Sequence, residues 1–147
     1  MIIIGYQGIG KTTVCKDNLR YIDFESSALR IPDDWHIPYC QMAIELSRQG
    51  YVVFVSSHEE VRRYLQWYSG ICVAIVPSPK LENDWIKKLK ERAEQSESLK
   101  DERAYIRALA CYQEDIVDIM HDCDTKIIKT MDYNLKQIIE KIEEARR

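Results

Sequence analysis

A chain of 147 residues has room for one domain with a sizeable core. It is 46% hydrophobic and 31% charged, with a formal net charge of -3, so bulk electrostatics gives no case for nucleic acid or an anionic membrane as partner. No apolar run approaches a membrane span, and the short apolar start passes directly into a glycine-rich stretch, which is not a signal-peptide pattern. The cysteines at 15, 40, 72, 111 and 123 include no C-x-x-C pair and read as reduced thiols in the cytoplasm. His36, His58 and His121 lie far apart, so no metal cage is expected.

Met1-Ile2-Ile3-Ile4 reads as a short strand. It runs into Gly5-Tyr6-Gln7-Gly8-Ile9-Gly10-Lys11-Thr12, the G-x-x-x-x-G-K-T pattern of a Walker A phosphate-binding loop. Glycines at these places let the backbone turn tightly and aim successive N–H groups at a phosphate. Lys11 would reach the β- and γ-phosphates, and the Thr12 hydroxyl is placed to ligate Mg²⁺. A helix predicted from residue 11 to about residue 19 adds its positive end to the anion site. Gly5, Gly8, Ile9, Gly10, Lys11, Thr12 and Thr13 are therefore the expected ATP-binding set.

Tyr21-Ile22-Asp23-Phe24 reads as a second strand ending in acids, followed by a polar loop over residues 25–34. Trp35, Tyr39, Met42, Ala43 and Leu46 recur at helical spacing up to a stop at Gly50. Tyr51-Val52-Val53-Phe54-Val55 is a continuous apolar run, as expected of a parallel strand buried on both faces. Ser56 or Ser57 would cap the next helix, with Val61, Tyr64, Leu65 and Tyr68 facing inward and Gly70 at its end. Residues 71–76 form another buried strand, closed by Pro77 and Pro79. Residues 125–130 give a last strand, and Leu135, Ile138, Ile139 and Ile142 a closing helix.

Between these, residues 81–107 are dense in charge of both signs and poor in large apolar side chains. Gln95-Ser96-Glu97-Ser98 divides them into two predicted helices with a mobile connection. The second becomes amphipathic through Tyr105, Leu109, Tyr112, Ile116 and Ile119. Such a segment buries little and is expected to open at low cost, as a lid.

Five strands, each followed by helix, predict an α/β fold: a parallel sheet covered by helices on both faces, with nucleotide at the carboxyl ends of the strands. The N-K-x-D and D-x-x-G motifs of GTPases are missing. The strand that ends Phe54-Val55-Ser56-Ser57-His58 carries no acid before Glu59, which argues against a hydrolytic motor.

The order of elements resembles that of small P-loop kinases of the adenylate, shikimate and gluconate kinase type, and is similar to small phage-like nucleotide kinases. That resemblance implies a three-layer αβα domain over residues 1–147, with strand order 2-3-1-4-5 and a helical lid at about 81–107. It implies ATP and Mg²⁺ as cofactors and a small-molecule phosphate acceptor, a nucleoside monophosphate or nucleoside. The alternatives are a sugar or hydroxy-acid acceptor, or a nucleotide-binding regulatory module that transfers nothing.

On this resemblance the expected catalytic residues are Lys11, Asp23 and Arg92. Asp23 would sit beside the Walker strand and join Thr12 at the metal. Asp23, Glu25, Arg30, Ser56 and Arg62 would hold the acceptor. Arg103 or Arg107 could reinforce Arg92, and Asp132-Tyr133-Asn134 lies where related kinases hold the adenine edge. Trp35, Trp67 and Trp85 read as packing residues, with His36 and Tyr39 in helix packing and capping. A monomer or homodimer is expected.

Overall fold

The computed structural model describes residues 1–26 and 33–146. Five strands form one sheet: β1 (Ile2–Gly5), β2 (Tyr21–Asp23), β3 (Val52–Val55), β4 (Cys72–Pro77) and β5 (Thr125–Ile128). All pairings are parallel and the order is β2-β3-β1-β4-β5. The three inner strands are the continuous apolar runs of the sequence, and every residue in them is buried. The two edge strands are only partly buried. A strand covered on both faces cannot afford alternating polar residues, so the sequence patterns of β1, β3 and β4 place them at the centre.

Among the described residues there are six α-helices: α1 (Lys11–Lys16), α2 (His36–Arg48), α3 (Glu59–Leu65), α4 (Glu82–Ser96), α5 (Leu99–Asp122) and, after the last strand, α6 (Leu135–Ala145). Helix α1 packs with α6, whereas α2, α3 and α5 pack in succession. Right-handed crossovers place these two groups on opposite faces, giving three layers. Arg20 joins the first group by a two-pronged ion pair to Glu143, with N–O distances of 2.7 and 2.8 Å. No helix among the described residues is long and apolar enough to cross a membrane.

Several elements differ from the sequence reading. Helix α1 stops at Lys16, buries no residue of its own, and leaves Leu19 almost fully exposed. Met42 and Leu109 also point outward despite their helical spacing. Trp67 stands in solvent in a 3₁₀ turn, Gln66–Tyr68, while Trp35 and Trp85 are core residues. His58, not Ser56 or Ser57, caps α3, and makes no side-chain capping bond. Pro77 lies within β4, opposite Ile128, rather than ending the strand before it.

The segment expected to act as a lid buries more than its composition suggests. Residues 82–122 do form two helices divided near Gln95-Ser96-Glu97-Ser98: α4 ends at Ser96, Glu97 takes a left-handed conformation, and Ser98 caps α5. Yet Trp85 and Leu89, one turn apart on α4, are buried to the last per cent. Two large apolar side chains are enough to seat a helix that is otherwise charged, at about 1.5–3 kcal/mol for an aliphatic one.

Topology brings the carboxyl ends of β1, β3 and β2 to one rim, carrying Gly5, Ser56 and Asp23. Tyr39 braces this rim from α2. Its hydroxyl donates to the Phe24 carbonyl at 2.6 Å and accepts from the Ser56 N–H at 3.0 Å, and its ring stacks on Phe24 at 4.5 Å. Removing one buried hydroxyl strands both backbone groups. Tyr39→Phe is expected to cost about 1–3 kcal/mol, read as a lower urea midpoint at unchanged slope. A midpoint equal to that of the parent would contradict this bracing role.

Candidate anion-binding loop and its rim

The loop after β1 is held from behind. Tyr6 is buried, edge-on to Tyr112 with ring centroids 5.6 Å apart. The Gln7 side-chain amide donates to the Ala104 carbonyl at 3.2 Å. The Gln7 carbonyl accepts from the Trp85 indole N–H at 2.9 Å, and the Ile9 carbonyl from the Tyr133 hydroxyl at 2.8 Å. Gly8 and Gly10 adopt left-handed φ values of 86° and 102°. A Cβ on Gly8 would also lie 2.8 Å from Leu89 Cδ2, so this position excludes a side chain twice over.

These contacts orient the peptide planes. With the Gln7 and Ile9 carbonyls tied toward α4 and Tyr133, the Gly8 and Gly10 N–H groups, in the same two peptide planes, face the other way. No main-chain N–H of residues 7–13 meets an acceptor among the described residues; the first helical bond of α1 runs from Val14 to Gly10. A run of unpaired N–H groups on a coiled backbone is a concave donor surface suited to an anion.

Lys11, Thr12 and Thr13 open α1, and the last two are exposed. The Thr12 hydroxyl lies 3.5 Å from Asp23 Oδ2, the outer limit of a hydrogen bond. The expectation that Asp23 lies beside the strand of the loop is corrected: β3 intervenes between β2 and β1. Asp23 meets Thr12 because α1 packs against β2. One turn along α1, burial and then the Asp23 charge push the Cys15 thiol up to about 11, against the pull of Lys11. The thiol form of Cys15 therefore prevails at neutral pH.

Ser56 follows β3, one residue past the Ile4–Val55 pairing and so level with Gly5. Its hydroxyl is buried and has no partner among the described residues. His36 Nδ1 is likewise buried and unpaired. No cluster of three or more His, Cys, Asp or Glu suited to a metal occurs among the described residues.

The cations expected at the lid and at the acceptor are engaged elsewhere. Arg92 pairs with Asp101 at 3.2 Å, across the turn between α4 and α5. Arg107 forms a two-pronged pair with Asp115. Arg62 is buried and bonds Asp122 at 3.0 Å and the Ser57 carbonyl at 2.6 Å, so it ties α3 to α5 instead of facing the rim. Arg63 pairs with Glu59 on the surface. Arg30 lies outside the described residues.

Two side chains that the sequence reading did not assign to the site stand at it, Lys100 and Lys88, and Tyr133 takes a different part from the one expected. Lys100, in the first turn of α5, forms an ion pair with Glu25 and so bridges from the α4–α5 turn to the rim. Lys88 lies 4.3 Å from the Trp85 ring centroid and donates to the Tyr133 hydroxyl at 3.0 Å; half-burial and then Arg92 lower its pKa. Tyr133, stacked on Trp85 at 5.8 Å, supports the loop rather than presenting an edge to adenine. Burial pushes its hydroxyl up to about 12, which keeps it a donor to Ile9. Asn134 caps α6 through the Gln137 N–H. The Trp85–Leu89 spacing was the signal available in the sequence for the buttress; nothing local marks Lys100.

No protein-family model matches the chain, and no curated protein is significantly similar to it.

The Glu25–Lys100 bridge has a pH signature. Partial burial raises the Glu25 carboxyl, but the Lys100 hydrogen bond, the Lys100 and Lys11 charges and the Ser26 N–H outweigh it, and the net shift is downward. The pair therefore stabilises the fold above the ordinary glutamate range, and that contribution fades as pH falls through the lowered value. An NMR titration of the Glu25 carboxyl should give a midpoint below that of free glutamate, moving up in Lys100→Met. A midpoint indifferent to Lys100→Met would mean that the bridge does not form in solution.

Proposed function

We propose that the chain is an ATP-dependent phosphotransferase acting on a small molecule, with a nucleoside monophosphate or nucleoside as acceptor. The observation that carries this reading is the run of open N–H groups over residues 7–13, flanked by Lys11 and by the Thr12–Asp23 pair. The parallel sheet order, with this loop at a carboxyl-end rim, agrees with the resemblance to small P-loop kinases.

The residues present fit the two cofactors this activity requires. A triphosphate needs many donors and a cation, and the loop offers amides, Lys11 and the Thr12 hydroxyl. Mg²⁺ is held in such sites by one or two protein oxygens beside the phosphates, and Thr12 with Asp23 supplies hard oxygens of that kind. When bound, ATP and Mg²⁺ supply the transferable phosphoryl group and neutralise its charge.

The chain's own part is positioning and electrostatics. The Gly8 and Gly10 amides orient the phosphates with little reorganising, because their peptide planes are held through the Gln7 and Ile9 carbonyls. Lys11 offsets charge at the far end of the triphosphate. Asp23 orients a hydroxyl acceptor or takes its proton; for a phosphate acceptor it positions metal or ribose instead. Ser56, its hydroxyl buried at the end of β3, and Glu25 border the same rim.

A second reading has its own observation. The end of β3 presents the neutral Ser56 in place of an acid, so metal ligation rests on Asp23 from one strand further out. A nucleotide-binding regulatory module would tolerate this. Coupled ADP-release assays across nucleosides, nucleotides, sugars and hydroxy acids separate the two: turnover with any acceptor supports the enzyme, and ATP binding without turnover supports the module.

Lys11→Ala should weaken ATP affinity by roughly 10- to 100-fold by calorimetry while circular dichroism stays unchanged. Equal affinity in the folded variant would remove the loop as the nucleotide site. Asp23→Asn should lower kcat by about two orders of magnitude with a small change in ATP affinity. Loss of Mg²⁺ affinity alone would reassign Asp23 to the metal, and an unchanged kcat would make it a solvated surface acid.

A further inference from the structure

Lys88 is half-buried on α4 and has no carboxylate partner among the described residues. An ammonium taken out of water without an anion beside it is costly. This one rests against two aromatic rings, 4.3 Å from the Trp85 centroid and 5.1 Å from that of Tyr133. Its hydrogen bond goes to the Tyr133 hydroxyl at 3.0 Å.

The chemistry of that contact has a direction. An ammonium carries three donors and no acceptor, so the phenol oxygen accepts from Lys88 and cannot donate back. The one phenolic proton is left for a carbonyl. That of Ile9 lies 2.8 Å away and that of Gly8 3.5 Å, so the proton goes to Ile9. A hydroxyl that accepts from a cation is also the stronger donor. The Ile9 carbonyl shares one planar peptide unit with the Gly10 N–H.

We infer that Lys88 is a positioning residue of the anion-binding loop: it aims the Tyr133 proton at the Ile9 carbonyl and so sets the Gly10 amide for a phosphate. Lys88 stands on the carbonyl side of the loop and acts through Tyr133, not by touching the phosphates. The Gln7–Gly8 peptide is held separately, by the Trp85 indole, and serves as an internal control. The consequence for ATP rests on the loop being the nucleotide site proposed above; the effect on the Gly10 peptide does not.

Lys88→Met keeps an apolar stem against the rings and removes the charge and the donors. In amide-resolved NMR spectra of the ligand-free chain it should displace the Gly10 resonance more than that of Gly8. Tyr133→Phe should displace Gly10 too, and adding Lys88→Met to Tyr133→Phe should move it no further. Calorimetry with ATP and Mg²⁺ should follow the same pattern. Each single variant should weaken affinity about three- to tenfold, and the double variant should be no weaker than Tyr133→Phe alone. A Gly10 resonance that stays in place in Lys88→Met, or moves no more than Gly8, would overturn the inference. So would parental ATP affinity in Lys88→Met, or losses that multiply in the double variant, which would mean that Lys88 acts on the phosphates directly. A parent chain that binds no ATP would instead overturn the nucleotide reading, and the Gly10 shift alone would then decide the role of Lys88.

Discussion

Everything at the rim depends on which way two peptide planes point. The carbonyls of Gln7 and Ile9 face the protein because Trp85 and Tyr133 each supply one donor to them. A peptide plane carries its N–H opposite its C=O, so fixing these two carbonyls fixes the Gly8 and Gly10 amides. The result is a donor surface that is costly to leave dry and suited to a phosphate. The left-handed glycines make this backbone path accessible, but they do not choose it. The indole and phenol choose it.

This changes the role of the charged helical segment. On its solvent side, α4 bears lysines and acids, and its pair Arg92–Asp101, like Glu25–Lys100 between the rim and α5, is a surface contact of modest worth. On its inner side, Trp85 and Leu89 close over Gly8. The helix is thus a buttress for the loop. Swinging it away would expose a fully buried indole and free the Gln7 carbonyl.

The inner strands were legible because burial on both faces leaves an unmistakable apolar run, and the loop because G-x-x-x-x-G-K-T restricts backbone and charge together. The strand order followed from the family resemblance. What stayed hidden depends on contacts between distant residues. Nothing near Arg62 announces that Asp122 captures it, and nothing near Lys100 points to Glu25, because each pair is set by how helices pack. The outward turn of Leu109 shows the limit of periodicity: helical spacing marks a face, but not whether the fold covers it. Composition misled at α4, where many charges outvoted the two residues that bury.

The most direct test of the central claim is an amide-resolved NMR titration with ATP and Mg²⁺, with adenosine as control. The account predicts that the backbone N–H resonances of residues 7–13 move together on adding the triphosphate, and that adenosine leaves them in place. Saturating triphosphate without movement of these amides, or equal movement with adenosine, would contradict an anion site built from the oriented peptides of this loop.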